Sequence, residues 1–170
     1  MFINQSLLRQ QAAFREFADV SHWVDPVAVT LTMKQAIQPT DGLVRRLVYL
    51  DRYGASQNLR HCLNTLNCKV FGNRFRRFGE KLRVIPVLEG GNGRRLHYHL
   101  MVDCPRADLK DVFPAMIGDA WEATTWGYYQ SDIQTGADEG WKFYISKLRD
   151  KPDYADAIDW PNYHNPDRRA

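Results

Sequence analysis

The sequence predicts an α+β fold, an antiparallel β-sheet with helices packed on one face. Three observations carry that expectation. Residues 96–102 read Leu-His-Tyr-His-Leu-Met-Val, so that a strand there would turn Leu96, Tyr98, Leu100 and Val102 to one face and His97 and His99 to the other. Residues 83–89 form a second β-like run, joined to the first by Gly-Gly-Asn-Gly-Arg-Arg, a sequence suited to turning the chain straight back. Beyond an initial helix, the remaining segments alternate in the order β-α-β-β-α-β, followed by one more helix.

Taken in order, residues 6–19 read as an amphipathic helix. Leu7, Leu8, Phe14, Phe17 and Ala18 fall near one face, and Asn4 or Ser6 serves as N-cap. Pro26 precedes Val-Ala-Val-Thr-Leu-Thr-Met at 27–33, a short stretch rich in β-branched residues that reads as a strand. Residues 43–69 are expected to be helical and broken around Gly54, with Leu59, Cys62, Leu63, Leu66 and Val70 at helical spacing. The hairpin of 83–89 and 96–102 follows. A helix is expected over 108–121, starting nearer Asp111 because Pro114 is tolerated only in a first turn. Residues 127–134 read as a strand and 140–149 as the last helix, with Trp141, Ile145 and Leu148 in one stripe. The tail from Lys151, with Pro152, Pro161 and Pro166, is expected to be irregular. This order is the split βαβ of ferredoxin-like and RRM-like sheets. It leaves the helix-free face open for a site.

The chain of 170 residues is expected to form a single domain over 1–170, with its core at about 27–149 and its own hydrophobic interior. A net charge of +3 is compatible with a nucleic-acid partner without demanding one. Arg74, Arg76, Arg77, Lys81, Arg83, Arg94 and Arg95 crowd around the hairpin, either as a solvated face or as phosphate contacts. Cys62, Cys68 and Cys104 are odd in number and include no C-x-x-C pair, which argues against both a disulfide framework and a thiolate zinc site. No apolar run approaches membrane-spanning length, and Arg9, Arg15 and Glu16 interrupt any signal-peptide pattern. An intracellular location is expected.

His97 and His99 look into the same space, and the hairpin should bring Glu89, at the end of the preceding strand, close to both. Two imidazoles and a carboxylate make a candidate divalent-metal site, although alternating histidines also occur as ordinary surface residues. Tyr144 and Lys147 stand three residues apart at the edge of the last helix's apolar stripe. They set a phenol beside an ammonium, a spacing equally met by a boundary tyrosine with a snorkelling lysine.

Thr30-Leu-Thr32, Glu89 with His97-Tyr-His99, and Tyr144-Ile-Ser-Lys147 stand in this order along one chain. In this the sequence resembles the HUH endonuclease superfamily, specifically the nicking domain of rolling-circle replication initiators (Rep proteins), over residues 27–149. The resemblance implies a single-tyrosine enzyme that cleaves and rejoins single-stranded DNA through a covalent 5′-phosphotyrosine, leaving a 3′-hydroxyl to prime replication. Tyr144 would be the nucleophile and Lys147 its helper. His97, His99 and Glu89 would hold Mn²⁺ or Mg²⁺, and Thr30 and Thr32 would be structural. The implied partners are single-stranded DNA at a replication origin, including a hairpin origin, and a separate host or viral helicase. The compartment would be the cytoplasm for a bacterial, phage or plasmid protein and the nucleus for a eukaryotic viral one.

Arg74, Arg76, Arg77, Arg94 and Arg95 are the candidate phosphate contacts. Tyr128, Tyr129, Trp121 and Trp126 either stack bases or belong to the core. Other readings stay open. A single-tyrosine transposase or relaxase would use the same chemistry. A non-catalytic RRM-like single-strand binding module has the same sheet order but leaves the Glu/His/His and Tyr/Lys placements unused. An iron facial triad on a cupin-like barrel conflicts with the alternating helices, and the only later histidine, His164, lies in the tail.

Overall fold

The computed structural model describes residues 5–39, 46–147 and 154–166. In chain order these form α1 (Gln5–Phe17), β1 (Pro26–Met33), β2 (Ala36–Ile37), β3 (Val48–Tyr49), α2 (Arg52–Phe71), α3 (Asn73–Phe78), β4 (Val84–Gly91), β5 (Arg94–Asp103), α4 (Phe113–Glu122), β6 (Gly127–Thr135), α5 (Glu139–Ile145) and α6 (Tyr154–Ala157). Four strands make one antiparallel sheet in the order β4-β5-β1-β6, an arrangement compatible with a ferredoxin-like fold.

The period-two pattern of the strands divides the core in two. On one face Leu31, Met33, Tyr98 and Leu100 pack against Leu59, Leu66, Phe113 and Trp121 from α2 and α4. On the other face Ile85, Val87 and Met101 are also apolar, and they are covered by Phe14 and Ala18, by Ile145 of α5 and by Ile158. The expectation of a fully helix-free second face is therefore corrected. Three large apolar side chains at one end of that face need burial, and α1 and α5 supply it.

Local chemistry explains most boundaries. Asp51 caps α2 by accepting the Gly54 N–H at 2.7 Å, so Gly54 lies in a first turn rather than at a break. The helix expected from residue 43 starts at Arg52 instead. Residues 48–49 pair with 36–37 as a small ribbon, and 43–45 lie outside the described residues. Pro114 sits in the first turn of α4, as its missing N–H requires. In the β4–β5 hairpin Asn92 (φ 50°) and Gly93 (φ 86°) both take left-handed conformations, the backbone of a two-residue type I′ turn.

The tail is described over residues 154–166. Its described part docks rather than wandering, because β4 would otherwise be a bare sheet edge. Ile158 bridges to Val87 and His164 to Val84. The buried Asp159 carboxylate accepts from the Tyr98 hydroxyl at 2.6 Å, Ser56 Oγ at 2.8 Å and Asn162 Nδ2 at 2.8 Å. Burial and the Asp159 carboxylate raise the pKa of Tyr98 well above the usual phenol value. Among the described residues, no helix is long and apolar enough to cross a membrane.

Candidate metal and tyrosine site

Strand register brings the candidate metal ligands together. Glu89 of β4 lies directly opposite His97 of β5, and His99 sits two residues further along the same face. Glu89 Oε2 is 3.7 Å from His97 Nε2 and 3.6 Å from His99 Nε2, and the two imidazoles meet edge to face with centroids 5.0 Å apart. These N···O separations are too long for hydrogen bonds. They are close to those of donors sharing one ion, since two ligands about 2.1 Å from a metal at tetrahedral angle stand about 3.4 Å apart. One atom from each of the three residues lies within 4.8 Å of the others, so the group could hold a metal ion.

Both ring orientations are fixed from behind. His97 Nδ1 donates to the Arg95 carbonyl at 3.0 Å, and His99 Nδ1 pairs with Thr30 Oγ1 at 3.0 Å. Each ring thus turns Nε2 toward Glu89, the second-layer arrangement that sets the tautomer of a metal-ligating histidine. Thr30 belongs to β1, whose register puts it opposite His99 and Thr32 opposite His97. Thr32 hydroxyl donates to the Gln130 carbonyl at the bulge of β6, and its own carbonyl accepts the Trp121 indole N–H at 2.8 Å.

Helix α5 brings the tyrosine to the same wall. Trp141 anchors the helix by donating from Nε1 to the Leu100 carbonyl at 2.9 Å, and its ring stacks on Tyr144 at 5.0 Å and 19°. The His99 ring meets Trp141 edge-on at 5.9 Å and Tyr144 edge-on at 5.5 Å. Lys147 Nζ stands 4.5 Å from the Tyr144 ring centre. Helix α1 fixes the far side: Arg15 Nε donates to Ser146 Oγ at 2.7 Å, Gln11 Nε2 donates to the Ser146 carbonyl at 2.5 Å, and the Arg15 guanidinium lies 4.3 Å over Phe143. The helix ends at Ile145, short of the expected 149, and Leu148 lies outside the described residues.

The candidate basic residues sit on two different elements. Arg74, Arg76 and Arg77 are on α3, before β4, whereas Arg94 and Arg95 follow its far end, about 23 Å of extended strand away. Arg74 pairs with Glu80 at 3.4 Å, and Arg83 pairs with the buried Asp103 at 3.1 Å. Arg95, two residues from His97, sets its guanidinium 6.0 Å from the Tyr128 ring centre, and Tyr128 packs on the exposed Tyr129 at 4.5 Å. A hydrogen bond and like charge from Tyr128 raise the Tyr129 phenol above its usual value. Trp121 is fully buried and belongs to the core, while Trp126 is half-buried.

Sequence reasoning placed Trp141 only in an apolar stripe. Its indole N–H and its stacking on Tyr144 make it the support for the tyrosine, which a side-chain pattern cannot reveal. The tie between α1 and α5 through Arg15 and Ser146 also left no local signal, because it spans 131 positions. Compared with protein-family models, with curated proteins and with solved structures, the chain gives no match, so the functional reading rests on its own residues.

Proposed function

We propose that this protein is a metal-dependent, single-tyrosine DNA nickase and strand transferase of the Rep type. Its substrate is a single strand at a replication origin, which it opens by transesterification. The observation that supports this best is the shared wall: the Tyr144 ring packs on His99, whose Nε2 faces Glu89 together with that of His97.

In the reaction Tyr144 Oη attacks the scissile phosphorus. A phosphotyrosine ester forms to the 5′ side, the bond from phosphorus to the 3′ oxygen breaks, the phenol's proton passes to solvent, and the leaving oxygen takes up a proton. A free phenol is ionised to only about one part in a thousand at neutral pH. Lys147 therefore sits where it is needed, its positive charge beside the ring on which negative charge develops. A divalent cation such as Mn²⁺ or Mg²⁺ on Glu89, His97 and His99 would supply Lewis-acid neutralisation of the phosphate oxygens. Thr30 and the Arg95 carbonyl hold the two imidazoles, and Trp141 holds the tyrosine, so the groups wait in position before substrate arrives. Arg95, Tyr128 and Tyr129 at the neighbouring end of the sheet suit a phosphate and stacked bases. One ester replaces another, so the same groups can run the reaction backwards and rejoin ends.

The test is incubation with end-labelled single-stranded DNA and Mn²⁺. The expected result is a DNA–protein adduct that survives denaturation and is abolished by chelator. Tight DNA binding with no adduct on any strand carrying a nicking-competent origin would leave only a binding module and overturn the proposal.

A further inference from the structure

A cleft lies at the opposite end of β4 from the metal group. Its floor includes Val84 at the start of β4, about 16 Å of strand from Glu89 at the other end. It has a volume of about 330 Å³ and runs between the outer flank of α2 and the docked tail. That volume is at the low end of small-molecule sites, which span about 300–1,000 Å³.

The lining is one-sided in charge. Arg60 and Asn64 project from successive turns of α2, Lys81 comes from the loop before β4, and His164 comes from the tail, with Leu63 and Val84 between them. Among the described residues, no carboxylate lines the cleft. Among the described residues neither Arg60 nor Lys81 makes an ion pair, whereas the neighbouring Arg83 is occupied by Asp103. His164 donates from Nδ1 to the Leu82 carbonyl at 3.0 Å, which leaves Nε2 as the ring's remaining polar atom. Burial, followed by the charges of Lys81 and Arg83, holds its pKa below the usual histidine value, in keeping with positive potential at this point.

We infer that this cleft binds a small phosphate-bearing anion. A guanidinium fork, an ammonium and a side-chain amide, contributed by α2 and the Lys81 loop around one ligand-sized space, match the several oxygens of a phosphate better than a single planar carboxylate. The anion would bridge α2 to the loop before β4, so its binding stabilises the fold by mass action. Nothing in this depends on the chemistry at Glu89, His97 and His99.

The experiment titrates the full chain separately with inorganic phosphate, a nucleoside monophosphate and chloride at matched ionic strength. Heat of binding and melting temperature are followed. The expected result is saturable binding of phosphate but not chloride, with a raised melting temperature. Arg60→Gln combined with Lys81→Gln should weaken it about tenfold or more, as loss of charge-assisted bonds implies. Both side chains are exposed, so the variant keeps its fold, and an unchanged circular dichroism spectrum verifies this. Tighter binding of the nucleotide than of phosphate assigns a nucleotide ligand, and equal binding assigns the free ion. Absence of saturable binding, an equal response to chloride, or undiminished binding by the double variant overturns the inference.

Discussion

His97 and His99 give their strand a face that could hold a metal ion while Tyr98 between them points into the core, so each can be altered with a separable effect. His97→Ala removes one of two nitrogens from a half-exposed position and leaves the packing face untouched. Calorimetry should show Mn²⁺ affinity falling by about 100-fold or more with melting temperature unchanged, because a single imidazole and a carboxylate make a poor site. Unchanged affinity would remove His97 from the metal group. Thr30→Val keeps the shape of the side chain and deletes the hydroxyl paired with His99 Nδ1. It should cost about 10- to 100-fold in metal affinity, as loss of second-layer partners does, and Thr30→Ser should restore it. Tyr98→Phe acts in the opposite direction, on stability rather than chemistry. It strips one donor from the buried Asp159 and should destabilise by about 1–3 kcal/mol in denaturant unfolding, with metal binding retained.

Among the elements, the β4–β5 hairpin does most to build the site, and its register depends on a bulge between Glu89 and Gly91. Gly90 has φ 98°, and a Cβ there would lie 2.2 Å from the Arg95 carbonyl oxygen. Gly90→Ala should therefore cost at least about 1–3 kcal/mol and pull Glu89 out of line with His97. Loss of stability and of Mn²⁺ affinity should appear together in unfolding and calorimetric measurements. A variant with parental values of both would show that the bulge does not set the site. The sequence made this hairpin legible, since alternation fixed the faces and Asn-Gly marked the turn. It also made Pro114 legible as a helix start. Other elements were not readable, for physical reasons. The ribbon of β2 and β3 has two residues in each strand, too few for any periodicity. Gly54 reads as a break when it is the partner of the Asp51 cap.

For the whole molecule, the second core and the docked tail decide how much of the sheet stays open. Apolar residues on α1 were recognised, but the partner of their stripe was not, because Ile85, Val87 and Met101 show their common face only once the strands are aligned. The tail's prolines hid its role, since isolated bridges by Ile158 and His164 leave no strand pattern. That docking predicts a pH dependence. The folded pKa of His164 lies below its ordinary value of 6.5, so the unfolded chain binds more protons as pH falls. Its contribution is present above about pH 6.5 and is lost as pH drops through the lower folded value. Thermal unfolding between pH 7.5 and pH 5 should show this loss, and His164→Gln should flatten it. A parental slope in that variant would assign the loss to other groups. The arginines that cluster in sequence lie on α3, before β4, and at the start of β5, beyond it, a placement that linear proximity does not reveal. The proposed reaction needs Tyr144 and the metal group to form one centre. The most direct measurement is mass spectrometry of the adduct formed with single-stranded DNA and Mn²⁺, made alongside the same reaction with Tyr144→Phe. A phosphonucleotide on Tyr144, with neither cleavage nor adduct in a Phe variant that still binds Mn²⁺ and DNA, is the predicted result. An adduct on Tyr128, Tyr129 or Tyr154, or full cleavage by Tyr144→Phe, would contradict it.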